Sequence, residues 1–186
     1  MNRKDAEMLD QRVNKYLLEM AKEMNVEKSF AELIIGQYLE IIPENEKKDI
    51  VFLGTDSFSL KPGNIKLDIK NLLVACAELF ASFNIPENSF NYIQLALLAF
   101  MFAAKVTMKS LNSDCAIIVY ALDQLGAYEL FVTEEQLKKE AESISSKAGK
   151  SSICDFEETI NQLLKMKVIR MEDGKIALNE MVWGKI

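Results

Sequence analysis

From Asn71 to Ala104 the chain carries only two charged side chains, Glu78 and Glu87, and this near-chargeless run limits the fold more than any other feature. Helices with so few polar positions are apolar around most of their circumference and must be surrounded by other elements. The most hydrophobic part, Tyr92 to Ala104, is about 13 residues long, short of the roughly 20 that a helix needs to cross a bilayer. The run therefore predicts a buried central helical hairpin broken at Pro86. One helix runs from about Asp68 to Phe83, and a longer one from Asn88 or Ser89 to about Ser110. The alternative use of so much apolar surface is a dimer interface. With 7 Gly, 3 Pro and long stretches of Leu, Met, Ala, Glu and Lys, the rest of the chain also favours a mainly α fold.

Two amphipathic helices are available to cover this hairpin. Between Asp5 and Met24 the positions Leu9, Val13, Tyr16, Leu17, Met20 and Met24 step by three and four and share one stripe. A second helix is expected from Ser29, whose hydroxyl and Glu32 form a capping box, through Leu33, Ile34 and Tyr38 to Ile42, with Pro43 as its stop. Glu44 to Asp49 has the composition of a short helix. Gly54 to Asn64 reads as a loop, with Ser57 to Leu60 and Ile65 to Ile69 placed to form a small hairpin around Lys61 to Asn64. Lys109 to Ser113 is the seam between a helical region, 1–112, and a second region, 113–186.

Residue counts close several catalytic routes. The chain has no histidine, the residue that usually serves as the base for serine and cysteine nucleophiles, as a zinc ligand and in acid-base work near neutral pH. Cys76, Cys115 and Cys154 are odd in number and widely spaced, which suits reduced thiols in the cytoplasm. Met1 to Asp10 alternates charges and has no apolar core of the kind that directs export. Gly149-Lys150-Ser151 ends like a phosphate-binding loop, but Ile144 stands where the earlier glycine belongs and no strand precedes it. The carboxylate pairs Glu134/Glu135 and Glu157/Glu158 fall in first turns of expected helices, where negative charge stabilises the helix dipole. Asp49 and Asp56 flank a loop and have no companions that mark a metal site. Neither a cofactor nor a metal is expected.

The C-terminal third has a legible order. Asp114 is positioned to cap a helix from Cys115 to Leu125 that ends at Gly126, and a short extended piece follows at Glu129 to Val132. Thr133 and Gln136 then form a capping box on a second helix reaching about Ile144. After a Ser/Lys/Gly-rich connection from Ser143 to Ser152, Asp155 caps a third helix through Phe156, Ile160, Leu163 and Leu164, with Glu158 at the matching position. Val168 to Met171 and Ile176 to Leu178 flank Asp173-Gly174, a strong hairpin signal because both turn positions need positive φ. Helix, short strand, helix, helix and hairpin in this order resemble the winged-helix family. The resemblance covers about residues 113 to 186 and rests on FVTEEQLKKEA and FEETINQLLKMKVIRMEDGKIALN. It implies that the third helix is a recognition helix and the hairpin a wing.

Winged helices serve both DNA binding and protein assembly, so the residues must decide. A DNA surface neutralises phosphates with Lys and Arg. Ser113 to Ile186 holds nine Lys and Arg against thirteen Asp and Glu, a net of −4. Asp155, Glu157 and Glu158 crowd the end of the third helix that would approach base edges, leaving Asn161, Gln162 and Lys165 as its neutral or basic candidates. The wing offers Arg170 and Lys175 against Glu172 and Asp173, and Trp183 in the tail is read as packing over the wing or core, or as an anchor for a partner. Lys138, Lys139, Lys147 and Lys150 are the best argument for nucleic acid, but Glu134, Glu135, Glu140 and Glu142 interleave with them.

The expectation is a cytoplasmic, non-enzymatic protein with a net charge of −6. It works by association with itself or another protein through an acidic winged helix. The alternative is a DNA-binding winged-helix regulator dimerised through its N-terminal helices. A small-molecule sensor requires a cavity among Leu72, Phe80, Leu97 and Phe100.

Overall fold

The computed structural model describes residues 1–43, 64–81, 89–108, 110–150 and 153–185. The expected helix at Glu44 to Asp49, the strand at Ser57 to Leu60 and the break at Pro86 lie outside the described residues. Helix α1, Arg3–Glu23, begins at Asn2, whose side chain accepts from the Asp5 amide, and buries Ala6, Leu9, Val13, Leu17 and Ala21 along one stripe. It ends where Asn25 takes φ 55° and the Val26 amide returns to the Ala21 carbonyl.

The second helix departs from expectation at both ends. Helix α2, Lys28–Leu33, starts at Glu27 rather than Ser29 and has no side-chain cap; the Ser29 hydroxyl instead donates to Glu27 Oε2 at 3.2 Å. The helix does not reach Ile42. A widened π turn spans Ile34–Tyr38, and the chain then extends as β1, Leu39–Ile41. Gly36 weakens the α ladder in that turn. Leu39 and Ile41 gain strand partners in β2, Ile65–Asp68, with Leu39 opposite Leu67 and Ile41 opposite Ile65. Ile65 to Asp68 is thus a strand as expected, but its partners are β1 and a third strand, β6 (Met181–Gly184).

Asp68 turns the chain from β2 into α3, Ile69–Ala81, by accepting from the Asn71 amide at 3.1 Å and from Asn71 Nδ2 at 2.9 Å. Helix α4, Ser89–Ala103, packs against α3, which gives the central hairpin, and also against α1 and α5, Asp114–Gln124. Phe90, Ile93, Leu95, Ala96, Leu97, Ala99 and Phe100 are all buried, and helices on several sides are what so apolar a circumference requires. α4 stops at Ala103, not near Ser110: Lys105 adopts φ 50° and the Val106 amide closes on the Met101 carbonyl. Asp114 lies inside α5 and does not cap it. Asn112 accepts from the Asp114 amide, while Asp114 Oδ2 accepts from the Cys154 amide at 3.0 Å.

Beyond Gly126, at φ 62°, come β3 (Val132–Thr133), α6 (Glu134–Lys147), α7 (Phe156–Lys165), β4 (Ile169–Glu172) and β5 (Lys175–Leu178). The Thr133/Gln136 capping box is present, and α6 continues three residues beyond Ile144 before Gly149 ends it at φ 67°. Asp155 caps α7 by accepting from the Glu158 amide at 2.9 Å. Asp173 and Gly174, at φ 48° and 72°, make the two-residue turn between β4 and β5, and β3 adds to β5 for a sheet order of β3-β5-β4.

Among the described residues the chain is mainly α with two three-stranded antiparallel sheets. No helix among the described residues is long and apolar enough to cross a membrane. The β1-β2-β6 sheet draws strands from both sides of residue 112, and one continuous apolar core runs from Leu9 to Val182. The inner face of that sheet presents Leu39, Ile65, Leu67, Val182 and Gly184. A β-carbon on Gly184 would stand 2.6 Å from Ala104 Cβ and 3.2 Å from the Phe100 ring, so only glycine lets the strand approach the end of α4. Gly184→Ala is expected to cost about 1–3 kcal/mol of stability through overpacking, measured by denaturant unfolding.

Candidate interaction surface

Helix α7 presents two unlike flanks because its apolar residues recur at helical spacing. Thr159, Ile160, Leu163 and Met166 face the core, whereas Glu157, Glu158, Asn161 and Lys165 are exposed. Asp155, at the exposed start of the helix, is engaged as its cap. Three carboxylates therefore cluster at the first turn, where the helix dipole holds them.

The flank formed by Glu158, Gln162 and Lys165 lies against the α4–α5 connection. Gln162 Oε1 accepts from the Asn112 amide at 2.9 Å and from the Cys115 thiol at 3.4 Å, and its Nε2 donates to Glu158 Oε1. Asn112 Nδ2 donates to the Thr159 hydroxyl, which itself donates to the Asp155 carbonyl at 2.6 Å. Lys165 Nζ reaches across to the Thr107 carbonyl. Thr107 and Asn112 are thus fastened to the helix by three hydrogen bonds made with its side chains. A cleft of about 460 Å³ remains between Asn161 and Met108.

The hairpin places its two cations differently. Arg170 is half-buried: Nη1 donates to the Leu178 carbonyl and to Asn179 Oδ1 at 2.8 Å, Nη2 donates to the Tyr128 carbonyl, and the guanidinium lies 5.0 Å from the Phe131 ring centroid. It ties β4, β5 and the turn after α5 together. Lys175 is exposed at the start of β5, opposite Thr133 on one side and Glu172 on the other. Trp183 belongs to neither α7 nor the hairpin. The tail forms β6 against β2 and does not fold over the wing; since Val182 and Gly184 point inward, Trp183 turns outward opposite Lys66 and stays 37% exposed.

The lysines around α6 are also partly engaged. Lys138 Nζ pairs with Glu134 at 2.6 Å and lies 4.8 Å from the Phe156 ring centroid, and Lys150 Nζ lies 5.2 Å from that of Phe90. Behind α7, burial above all pushes the Cys115 thiol up to about 12, with Asp114 adding to the shift. Cys76 is likewise pushed up to about 12 by burial and then by Asp123. Cys154 is exposed. Among the expected sensor residues, Leu72, Leu97 and Phe100 are buried in the core, and the Phe80 side chain lies outside the described residues.

Sequence puts Asp155, Glu157, Glu158, Asn161, Gln162 and Lys165 together at the third helix, but gives no sign that Gln162 and Lys165 turn onto the α4–α5 connection. Asn112 was passed over because Lys109 to Ser113 reads as a seam; its place two residues before Asp114 is the signal that could have marked it as a capping side chain. No protein-family model, curated protein or solved structure matches this chain.

Two outcomes test this geometry. Arg170→Ala is expected to destabilise the protein by about 2–3 kcal/mol, since it strands partly buried carbonyls and removes a charged donor; Arg170→Lys should recover only part of this in urea unfolding. In alkylation followed by mass spectrometry at mildly alkaline pH, Cys154 should react first, with Cys76 and Cys115 reacting only as the protein unfolds. Equal labelling of all three would contradict their placement.

Proposed function

We propose that this chain is a non-enzymatic association or accessory protein whose C-terminal third is a winged helix used for contact with protein rather than with duplex DNA. The order α5, β3, α6, α7, β4, β5 and the sheet order β3-β5-β4 support the winged-helix reading. The observation that carries the functional part is the state of the cations. Arg170 is spent inside the hairpin and Lys165 is turned onto the Thr107 carbonyl, while Glu157 remains exposed near the capping Asp155. A polyanion meeting this helix finds its own sign of charge first, and few donors are left to neutralise phosphates.

A photo-crosslinking amino acid in place of Asn161, introduced in the cell of origin, is expected to trap a protein. A labelled duplex titrated with the purified chain at low salt is expected to show no saturable binding. A nucleic-acid adduct at that position, together with duplex affinity that falls steeply with added salt, would reverse the reading in favour of a DNA-binding regulator.

A further inference from the structure

Strand β6 ends its sheet with an unusually open edge. The Glu180 carbonyl accepts from the Ile69 amide, one step beyond the Met181–Asp68 pair, so Glu180 turns its backbone groups toward β2. Alternation along the strand then turns the N–H and C=O of Val182 and Gly184 toward β2 as well, and those of Met181 and Trp183 away from it. The sheet order β1-β2-β6 stops there, and among the described residues nothing pairs with these four outward groups.

The side chains of the same two residues share the outer face. Met181 is 47% and Trp183 37% exposed, while Val182 and Gly184 are buried on the inner face. The other edges are guarded as β6 is not. β1 is three residues long and carries Glu40 outward, β3 is two residues long and runs into α6, and β4 carries Arg170 and Glu172. Short length and charge are what keep an edge from pairing, and β6 has two apolar side chains where a charge would stand.

We propose that β6 pairs with β6 of a second copy, antiparallel and about a two-fold axis at Val182, joining two three-stranded sheets into one of six strands. The symmetry of the edge selects the occupant. A two-fold axis normal to the sheet keeps both inner faces on one side, so residues that face alike must stand opposite each other. With Val182 opposite its own copy, Met181 stands opposite Trp183 of the second copy. Every outward N–H of one edge then meets an outward C=O of the other, and all four groups of each chain are used. On the outer face the arrangement sets the Met181 thioether beside the indole of the second copy, twice over. The neighbouring charges on that face do not oppose the approach: Lys66 pairs with Glu40 at 3.2 Å, and Asp68 is held by Asn71. A strand this short covers less than a standard interface, so the dimer is weak and its population rises with concentration. The pairing lies apart from α7 and does not depend on the contact proposed there.

Trp183 is the only tryptophan of the chain, so its fluorescence reports on this edge alone. As the full-length protein is concentrated from micromolar to near-millimolar, its sedimentation should move from monomer toward dimer. The Trp183 emission should shift to shorter wavelength over the same range. Met181→Glu combined with Trp183→Glu sets acids opposite acids across the axis and should weaken self-association on the order of tenfold or more. Met181→Glu combined with Trp183→Lys removes the same apolar groups but sets opposite charges face to face, and should recover much of the loss. Both positions are exposed, so both variants should unfold in urea close to the parent. A monomer throughout, a dimer that leaves the Trp183 emission unmoved, or a dimer unaffected by the two-glutamate variant would overturn the proposal. Self-association lost in Glu157→Lys but kept in the two-glutamate variant would overturn it equally, by moving the contact to α7.

Discussion

The fold is organised around the requirement that α4 be covered on every side. A helix with no formal charge between Ser89 and Ala103 exposes apolar surface wherever a neighbour is missing, so α1, α3, α5 and the inner face of the β1-β2-β6 sheet are all drawn to it. Burying a Leu, Ile or Phe side chain contributes about 1.5–3 kcal/mol, and α4 alone commits Phe90, Ile93, Leu95, Leu97 and Phe100. The close approach at Gly184 follows from the same demand. The last strand is pressed onto the end of α4 until no β-carbon fits between them.

Around that centre, polar side chains set how elements join. Asp114 links the start of α5 to the approach of α7, and Asn112 and Gln162 fasten the α4–α5 connection to α7. Lys70 and Glu180, 2.6 Å apart, hold the turn before β6 against the start of α3, and the Lys70 ammonium also lies 5.3 Å from the Tyr128 ring centroid. Tyr128 in turn donates to Asp123, and burial with that carboxylate raises its hydroxyl pKa above the usual tyrosine range. Both partners of the Lys70 pair are about half exposed, so the link orients the turn more than it stabilises the fold.

Local chemistry made much of this legible in advance. The α1 stripe, the Thr133/Gln136 box, the Asp155 cap and the Asp173-Gly174 turn are signals written within four residues of the feature they create. What escaped depends on distant partners. Met181 to Gly184 has no strand signature beyond its alternation, and its partner β2 stands more than a hundred residues earlier. The wide turn at Ile34–Tyr38 joins a local weakness at Gly36 to the pairing of Leu39 and Ile41 with β2, and that pairing has no signal in the turn itself. Among the candidate site residues, composition placed the acids of α7 on its exposed face. It gave no hint that Lys165 and Arg170 reach inward, because a long side chain finds its acceptor only after the chain has folded.

Strand order also imposes a schedule. β2 is the middle of its sheet, with β1 nearby in sequence and β6 at residues 181–184, so one edge of β2 waits for a partner encoded more than a hundred residues later. Without β6, that edge of β2 is a bare backbone ladder, the kind of surface that invites wrong pairings.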